Sequence, residues 1–364
     1  MTQQIIINGR FLDQPFTGVQ RYAREITRTI DQLIDANDPA VSGLRFSIAR
    51  PKSGNAPSRF RHIKEARFGR LSGHAWEQLE LPLHTGSTLL LNLCNLCPVL
   101  GRRNLTVVHD ANVWLIPDNY SSMFRAVYHI LIPLGIRRSR VWITVSQYSA
   151  DQLLARHLAN RPPYAIIGNG SDHMSPTSAD SSELRQASLP LPFVFALGSR
   201  SRNKNIDLIR SMAPGLKAKG ISIVIAGDAK TRVFTEQEAA QAINIIELGR
   251  VSDSDLAYLF RTCLCFVFPS FFEGFGIPPL EAMAMGAPVI SSNTSSLPEI
   301  LGDAALYCDP GNLSSWVEAV TQLATDKSLR ADLISKGTTQ AAKYQWKNPA
   351  LRLVEAARSA LAKQ

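Results

Sequence analysis

The chain has 364 residues, 45% of them hydrophobic and 19% charged, enough for two ordinary domains with packed cores; this excludes a disordered or fibrous protein. The net charge of +9 is unevenly placed: residues 1–170 carry 20 Lys and Arg against 11 Asp and Glu, so the rest of the chain is neutral. Five cysteines, odd in number and without framework spacing, exclude a disulfide-stapled secreted domain.

In chain order, Met1 to Asn8 lacks a basic segment and a long apolar run, so no signal peptide is expected and a cytoplasmic place is. A short strand over 5–7 leads through a turn-like stretch at 13–18 into an amphipathic helix that starts near Val19. Tyr22, Ile26 and Ile30 share one face of it. Basic residues are densest from Arg59 to Arg70 and recur at Arg137, Arg138 and Arg140. Such segments suit an anionic membrane surface as well as a plain solvated face. Buried strands are expected over 89–93, 105–108 and 141–145, and the apolar run 126–136 is too short to span a bilayer. Cys94 and Cys97 form a CxxC without a second pair at zinc spacing, and read as ordinary buried thiols.

Residues 171–190 turn to Ser, Asp, Pro and Gly, the chemistry of a linker. The strand-and-helix alternation then restarts, with strands expected over 193–197, 221–226, 245–248 and 263–268 and shorter ones near 289 and 305. Buried strands alternating with helices predict parallel sheets covered on both faces. The expected fold is α/β: two doubly wound Rossmann-like domains over 1–170 and 191–345, facing a central cleft, with 346–364 returning as a helix to the first.

The segment with most chemistry follows the strand 263–268 and runs from Pro269 to Gly286. It reads as a strand, a glycine-rich loop, and a helix opened by Pro278 and Pro279, whose N-terminal N–H groups suit an anion. Gly274 and Gly276 allow close backbone approach. Glu273 sits past the strand end, and Glu281 is expected in the first helical turn.

Glu273 and Glu281, seven residues apart, resemble the paired glutamates of family four of the glycosyltransferases, within the phrase S-x-x-E-G-F-G-x-P-x-x-E-A-M-A-x-G. Ala226-Gly227, Gly249-Arg250-Val251-Ser252, Gly286-Ala287-Pro288 and Pro298-Glu299 follow in the same order. Gly18 to Tyr22, Trp76-Glu77-Gln78, His109-Asp110 and Val145 to Ser149 are similar in the first half. Within that family the chain resembles mannosyl- and rhamnosyltransferases of bacterial surface-polysaccharide and lipopolysaccharide assembly.

The resemblance implies a two-domain GT-B enzyme that moves a hexose with anomeric retention from a nucleotide-sugar donor. The best guess is mannose from GDP-mannose, passed in α linkage to an oligosaccharide or polyprenyl-diphosphate-linked acceptor bound by the first domain. UDP- or dTDP-sugars are the alternative donors. It further implies that Glu273 contacts the transferred sugar, Glu281 the ribose and Lys204 the phosphates. Backbone groups of Gly274, Phe275, Gly276 and Ile277 hold the donor, with those of Gly18 facing its pyrophosphate. Val251 lies beside the base and His109 near the reacting sugar. Many members carry Arg where this chain has Ser199, so Arg200 or Arg202 is a candidate second cation.

The chemistry fits these residue types: sugar–phosphate cleavage puts negative charge on the leaving phosphate, which fixed cations stabilise. Asp253-Ser254-Asp255 has the form of a metal-binding DxD but precedes a helical pattern, so Ser252 and Asp253 read as N-cap chemistry and metal-independent transfer is expected, with no cofactor. A peripheral place on the inner face of the cytoplasmic membrane follows from the basic first half. An epimerase or phosphorylase of the same fold, and a basic nucleic-acid- or membrane-binding protein without catalysis, are the rivals. No nucleic-acid motif accompanies the charge, so no nucleic-acid partner is expected.

Overall fold

The computed structural model describes residues 2–54, 60–101, 103–186, 189–199, 201–227 and 244–362. The chain divides into two compact units, Met1–Gly170 with Trp346–Gln364, and Ser171–Gln345. No helix among the described residues is long and apolar enough to cross a membrane.

Unit 1 is built on β1 (Gln3–Asn8), β2 (Leu44–Pro51), β3 (Lys64–Phe68), β4 (Leu89–Asn92), β5 (Asn104–Val107), β6 (Ser139–Thr144) and β7 (Ala165–Ile166). They pair in parallel in the order β3-β2-β1-β4-β5-β6-β7. The central strands are continuous apolar runs because helices cover both faces of the sheet. Helix α1 (Gly18–Asp35) buries Tyr22, Ile26 and Ile30 at helical spacing. Helix α2 (Ser122–Arg138) starts where the Ser121 hydroxyl accepts the Phe124 N–H at 3.3 Å, and α3 (Gln147–Ala155) where Ser146 accepts the Ser149 N–H at 3.0 Å. The C-terminal helix Lys347–Ala362 belongs to this unit, burying Ala350, Leu353 and Val354, and Arg358 donates to the Ala40 carbonyl at 3.1 Å.

The basic stretch 59–70 is not a loose cationic arm; Arg59 itself lies outside the described residues. Its middle forms β3, and carboxylates meet much of its charge. Asp31 accepts the backbone N–H groups of Arg61, His62 and Ile63, and Asp35 lies 3.3 Å from the Arg61 guanidinium. Glu65 pairs with Arg67 and with Arg50. Composition shows the cations of such a stretch, whereas the carboxylates that hold its start come from α1 and Glu65 of β3 is shared with Arg50 of β2.

Unit 2 repeats the plan with β8 (Phe193–Gly198), β9 (Ser222–Gly227), β10 (Ile245–Gly249), β11 (Cys265–Phe268), β12 (Val289–Ser292) and β13 (Ala305–Cys308). All pair in parallel, in the order β10-β9-β8-β11-β12-β13. Helix α4 (Asp253–Thr262) precedes β11 and α5 (Ile277–Ala284) follows it. Cys263 caps the end of α4 instead of lying in the strand, which begins at Cys265. Residues 171–190, linker-like in composition, carry the 3-10 turns Pro176–Ser181 and Glu183–Gln186 and are anchored in unit 2, where the Ser182 hydroxyl donates to Asp255 at 2.8 Å.

Arg50 at the end of β2 is fully buried, with Asp13 at 2.5 Å and Glu65 at 3.2 Å. It ties the turn after β1 to β3. Replacing Arg50 by Ala leaves two carboxylates without their buried counter-charge and should cost about 3–5 kcal/mol of stability by urea denaturation. A loss under about 1 kcal/mol would show that water already screens the cluster.

Candidate functional site

In each sheet the chain adds strands to one side of its first strand and then reverses. The switch falls between β1 and β4 in unit 1 and between β8 and β11 in unit 2. Open α/β sheets bind ligands outside the carboxyl ends of strands at such a point, because the two following loops diverge there.

At the unit 2 switch the loop after β8 supplies Lys204 and the loop after β11 supplies Glu273. The Lys204 ammonium lies 2.6 Å from Glu273 Oε1 and 4.7 Å above the Phe268 ring. Ser270 donates to the same oxygen at 2.6 Å. The two loops are laced together. Asn203 donates its side-chain N–H to the Phe272 carbonyl at 3.0 Å, and the Phe271 N–H donates to the Asn203 carbonyl at 2.8 Å. From the other side the Glu273 N–H donates to the Ser295 hydroxyl, and the Ser296 hydroxyl to the Glu273 carbonyl, both at 3.0 Å. The pair is therefore held by backbone as much as by charge.

Gly274, Phe275 and Gly276 are buried and Ile277 half-buried. Gly276 caps α5 at φ +102°, and a Cβ there would meet Leu297 at 2.7 Å, so the position needs glycine. Two expectations need correction here. Pro278 and Pro279 occupy the second and third positions of α5 and carry no N–H, so this helix end offers fewer donors to an anion than a helix start usually does. Glu281 lies in the second turn, where the helix dipole no longer explains it. It is buried, and its Oε1 is 2.8 Å from His173 Nε2. His173 was missed in the sequence because it stands in the linker-like stretch.

Ser199 opens the loop after β8 and its hydroxyl accepts the Ser201 N–H at 3.2 Å. Arg202 is exposed on the 3-10 turn Arg202–Lys204, and Arg200 lies outside the described residues. Val251 is half-buried just after β10, the edge strand two places from β8, so it stands apart from the Lys204–Glu273 pair. Asp255 completes a capping box with Ser252, its Oδ2 accepting the Ser252 hydroxyl at 2.7 Å while Oδ1 accepts Ser182. Burial by itself would raise its carboxyl, and these hydrogen bonds hold it below the ordinary range.

In unit 1, Gly18 is the exposed first residue of α1. His109 follows β5, buried, with its backbone N–H on Asn95 at 2.7 Å and the Tyr22 ring edge-on at 4.8 Å. Its Nε2 donates to the Leu93 carbonyl at 2.8 Å, and burial pushes its pKa down to about 4. His109 is thus a neutral imidazole at physiological pH, able to hydrogen-bond and not to supply positive charge. Burial pushes the Cys94 thiol up to about 12 and Cys97 to about 11, which suits inert thiols. At the unit 1 switch a polar cluster went unread in the sequence: buried Glu77 is 2.7 Å from Asn8 Nδ2 and 3.2 Å from Arg10 Nε, and Asn8 reaches Asn92 at 3.1 Å. Glu77 stands in Trp76–Glu80, one turn of π-helix.

Two Rossmann-like units, the second with a lysine–carboxylate pair and a glycine loop at its switch point, define a GT-B glycosyltransferase. Residues 182–340 match the family model described as glycosyl transferases group 1. O-antigen chain mannosyltransferase B of Escherichia coli is 43% identical over 270 residues, 70% of each chain. O-antigen chain mannosyltransferase RfbU of Salmonella typhimurium is 26% identical over 69% of this chain and 68% of its own. The sucrose-phosphate synthase structure from Thermosynechococcus elongatus superposes with a TM-score of 0.75 over all of both chains at 16% identity, a likeness of fold. The chain belongs to the group 1 glycosyl transferases and is a hexosyltransferase.

His109 sets an acid limit on unit 1. The unfolded chain takes up its proton near pH 6.5 and the folded one only near 4, so this contribution is complete above 6.5 and is lost as pH falls between them. Stability should drop by about 2 kcal/mol from pH 7 to 5 on this account, and His109→Gln should flatten that slope. Equal slopes in urea melts of the two proteins would show that His109 is accessible to water.

Proposed function

We propose that the chain transfers mannose from GDP-mannose, with retention and in α linkage, to an oligosaccharide or polyprenyl-diphosphate-linked acceptor of O-antigen assembly. The observation that carries this reading is the 43% identity to the Escherichia coli O-antigen chain mannosyltransferase over 70% of each chain. Unit 2 takes the nucleotide sugar and unit 1 the acceptor.

The chemistry assigned to the switch point follows from its charges. Lys204 and Glu273 neutralise each other at 2.6 Å. A diphosphate carries more charge than one carboxylate and draws Lys204 to itself, which releases Glu273 to the hydroxyls of the sugar. As the sugar–phosphate bond breaks, positive character grows on the sugar and negative charge on the departing phosphate. Lys204 stabilises the second, and the effect exceeds that in water because the lysine is already fixed in place. Glu281 is assigned to the ribose. The backbone of Gly274 to Ile277 and that of Gly18 are assigned to the donor, with Ser199, Arg200 and Arg202 around its phosphates and Val251 by the base. Neutral His109 is assigned a hydrogen bond to the reacting sugar. With Asp255 engaged in its capping box, the DxD sequence has no role in this scheme and transfer needs no metal.

In EDTA, GDP-mannose should support transfer to a mannose-bearing acceptor, and NMR of the product should show an α linkage. Lys204→Ala and Glu273→Ala should each lower kcat by about 10²–10³. Activity only with UDP- or dTDP-sugars would overturn the donor, and near-wild-type rates in either variant would remove that residue from the scheme.

Membrane association is read from α2. Met123 and Ile130, seven residues apart on one face, are 80% and 60% exposed, and the helix ends in exposed Arg137 and Arg138. An apolar stripe with terminal cations suits the interface of an anionic bilayer, here the inner face of the cytoplasmic membrane. The protein should float with phosphatidylglycerol vesicles, and a Met123→Glu, Ile130→Glu variant about fivefold less. Flotation that is absent, or indifferent to this variant, would remove the assignment.

A further inference from the structure

We propose that His173 is a positioning residue for nucleotide recognition: it holds the Glu281 carboxylate in the orientation that reads the ribose. This rests on the assignment of Glu281 to the ribose made above. Both side chains are buried, 3% and 4% exposed, with His173 Nε2 at 2.8 Å from Glu281 Oε1. They stand 108 residues apart, His173 at the start of unit 2 and Glu281 well inside it, so the contact is a product of the tertiary fold.

A glutamate has three side-chain torsions, so the direction of its carboxylate is decided by the groups that it meets. A hydrogen bond from Nε2–H to Oε1 fixes the carboxylate plane, and with it the direction of the second oxygen. A carboxylate recognises vicinal hydroxyls only when its oxygens are aimed at both, so this alignment sets affinity for a ribose. The anchor behind His173 is firm. The Ser171 N–H donates to the Tyr344 carbonyl at 2.8 Å, and the Met174 N–H to the Ser171 carbonyl at 3.1 Å. Met174 is itself buried. The linker-like stretch thereby carries a working residue for the nucleotide site.

The test compares binding of GDP and UDP with that of their 2′,3′-dideoxy forms by isothermal titration, for the wild type, His173→Ala, His173→Gln and Glu281→Ala. Gln places an amide N–H close to where Nε2 stands. His173→Ala should weaken the ribonucleotide that binds about tenfold and leave its dideoxy form unchanged, and His173→Gln should restore most of the loss. In turnover the same loss should appear in KM for the donor, with kcat changed less than about threefold. Equal weakening of ribo and dideoxy forms, or no weakening, in a His173→Ala protein while Glu281→Ala remains ribose-selective would overturn the role of His173 alone. Loss of ribose selectivity in neither variant would overturn the assignment of Glu281 and this inference with it. If His173→Ala fails to fold, His173→Phe, which keeps a ring without the N–H, takes its place: a ribose-selective loss that His173→Gln does not show supports the proposal, and unchanged ribose selectivity in His173→Phe overturns it.

Discussion

The ion pair between Lys204 and Glu273 is the interaction on which the proposed chemistry turns. Its two partners stand on loops that follow neighbouring parallel strands, β8 and β11, and they meet because the sheet reverses direction of growth between those strands. A buried or half-buried ion pair contributes little net stability, since desolvation offsets attraction. Its value here is placement. Hydrogen bonds to backbone groups, made with Asn203, Phe271, Ser295 and Ser296, hold both loops, so a cation and a carboxylate are kept side by side before any substrate arrives.

Unit 1 uses the same topology with a different filling. Its switch is closed by Glu77, Arg10, Asn8 and Asn92, a buried hydrogen-bonded set that joins the ends of β1 and β4 to a turn of π-helix. Arg50 does comparable work one strand further out. Several arginines of this half of the chain, Arg10, Arg50 and Arg67 among them, are spent against its own carboxylates, while the excess of basic residues over 1–170 remains. What faces outward is more local, with the apolar stripe and terminal arginines of α2 as its clearest part.

Neutral groups matter in this scheme as much as charged ones. His109 cannot bring a second cation to the sugar at neutral pH, because burial keeps it uncharged against the opposing effect of the Leu93 carbonyl. In the proposed scheme positive charge for the leaving phosphate is therefore assigned to Lys204, with Arg200 and Arg202 as the candidate second cation. The glycine at position 276 has a related part, since only a residue without Cβ turns the chain into α5 beside Leu297.

The alternation of apolar strands with helices, and the order of the strand-ending glycines, were legible in the sequence because they depend on residue type and near-neighbour spacing alone. So were the paired glutamates and the N-cap nature of Ser252. The burial of Tyr22, Ile26 and Ile30 follows from the same helical period. Other features depended on contacts between distant segments, which no local pattern encodes. Asp31 and Asp35, which hold the start of the 59–70 stretch, come from α1, and the residues of the apparent linker bind to α4. The position of Glu281 in the second turn was set by where α5 begins, which the two prolines blur. Above all, His173 and Glu281 were brought together across 108 residues by the way unit 2 closes on itself. A hydrogen bond of that reach leaves no periodicity to read, so only the tertiary structure decided it.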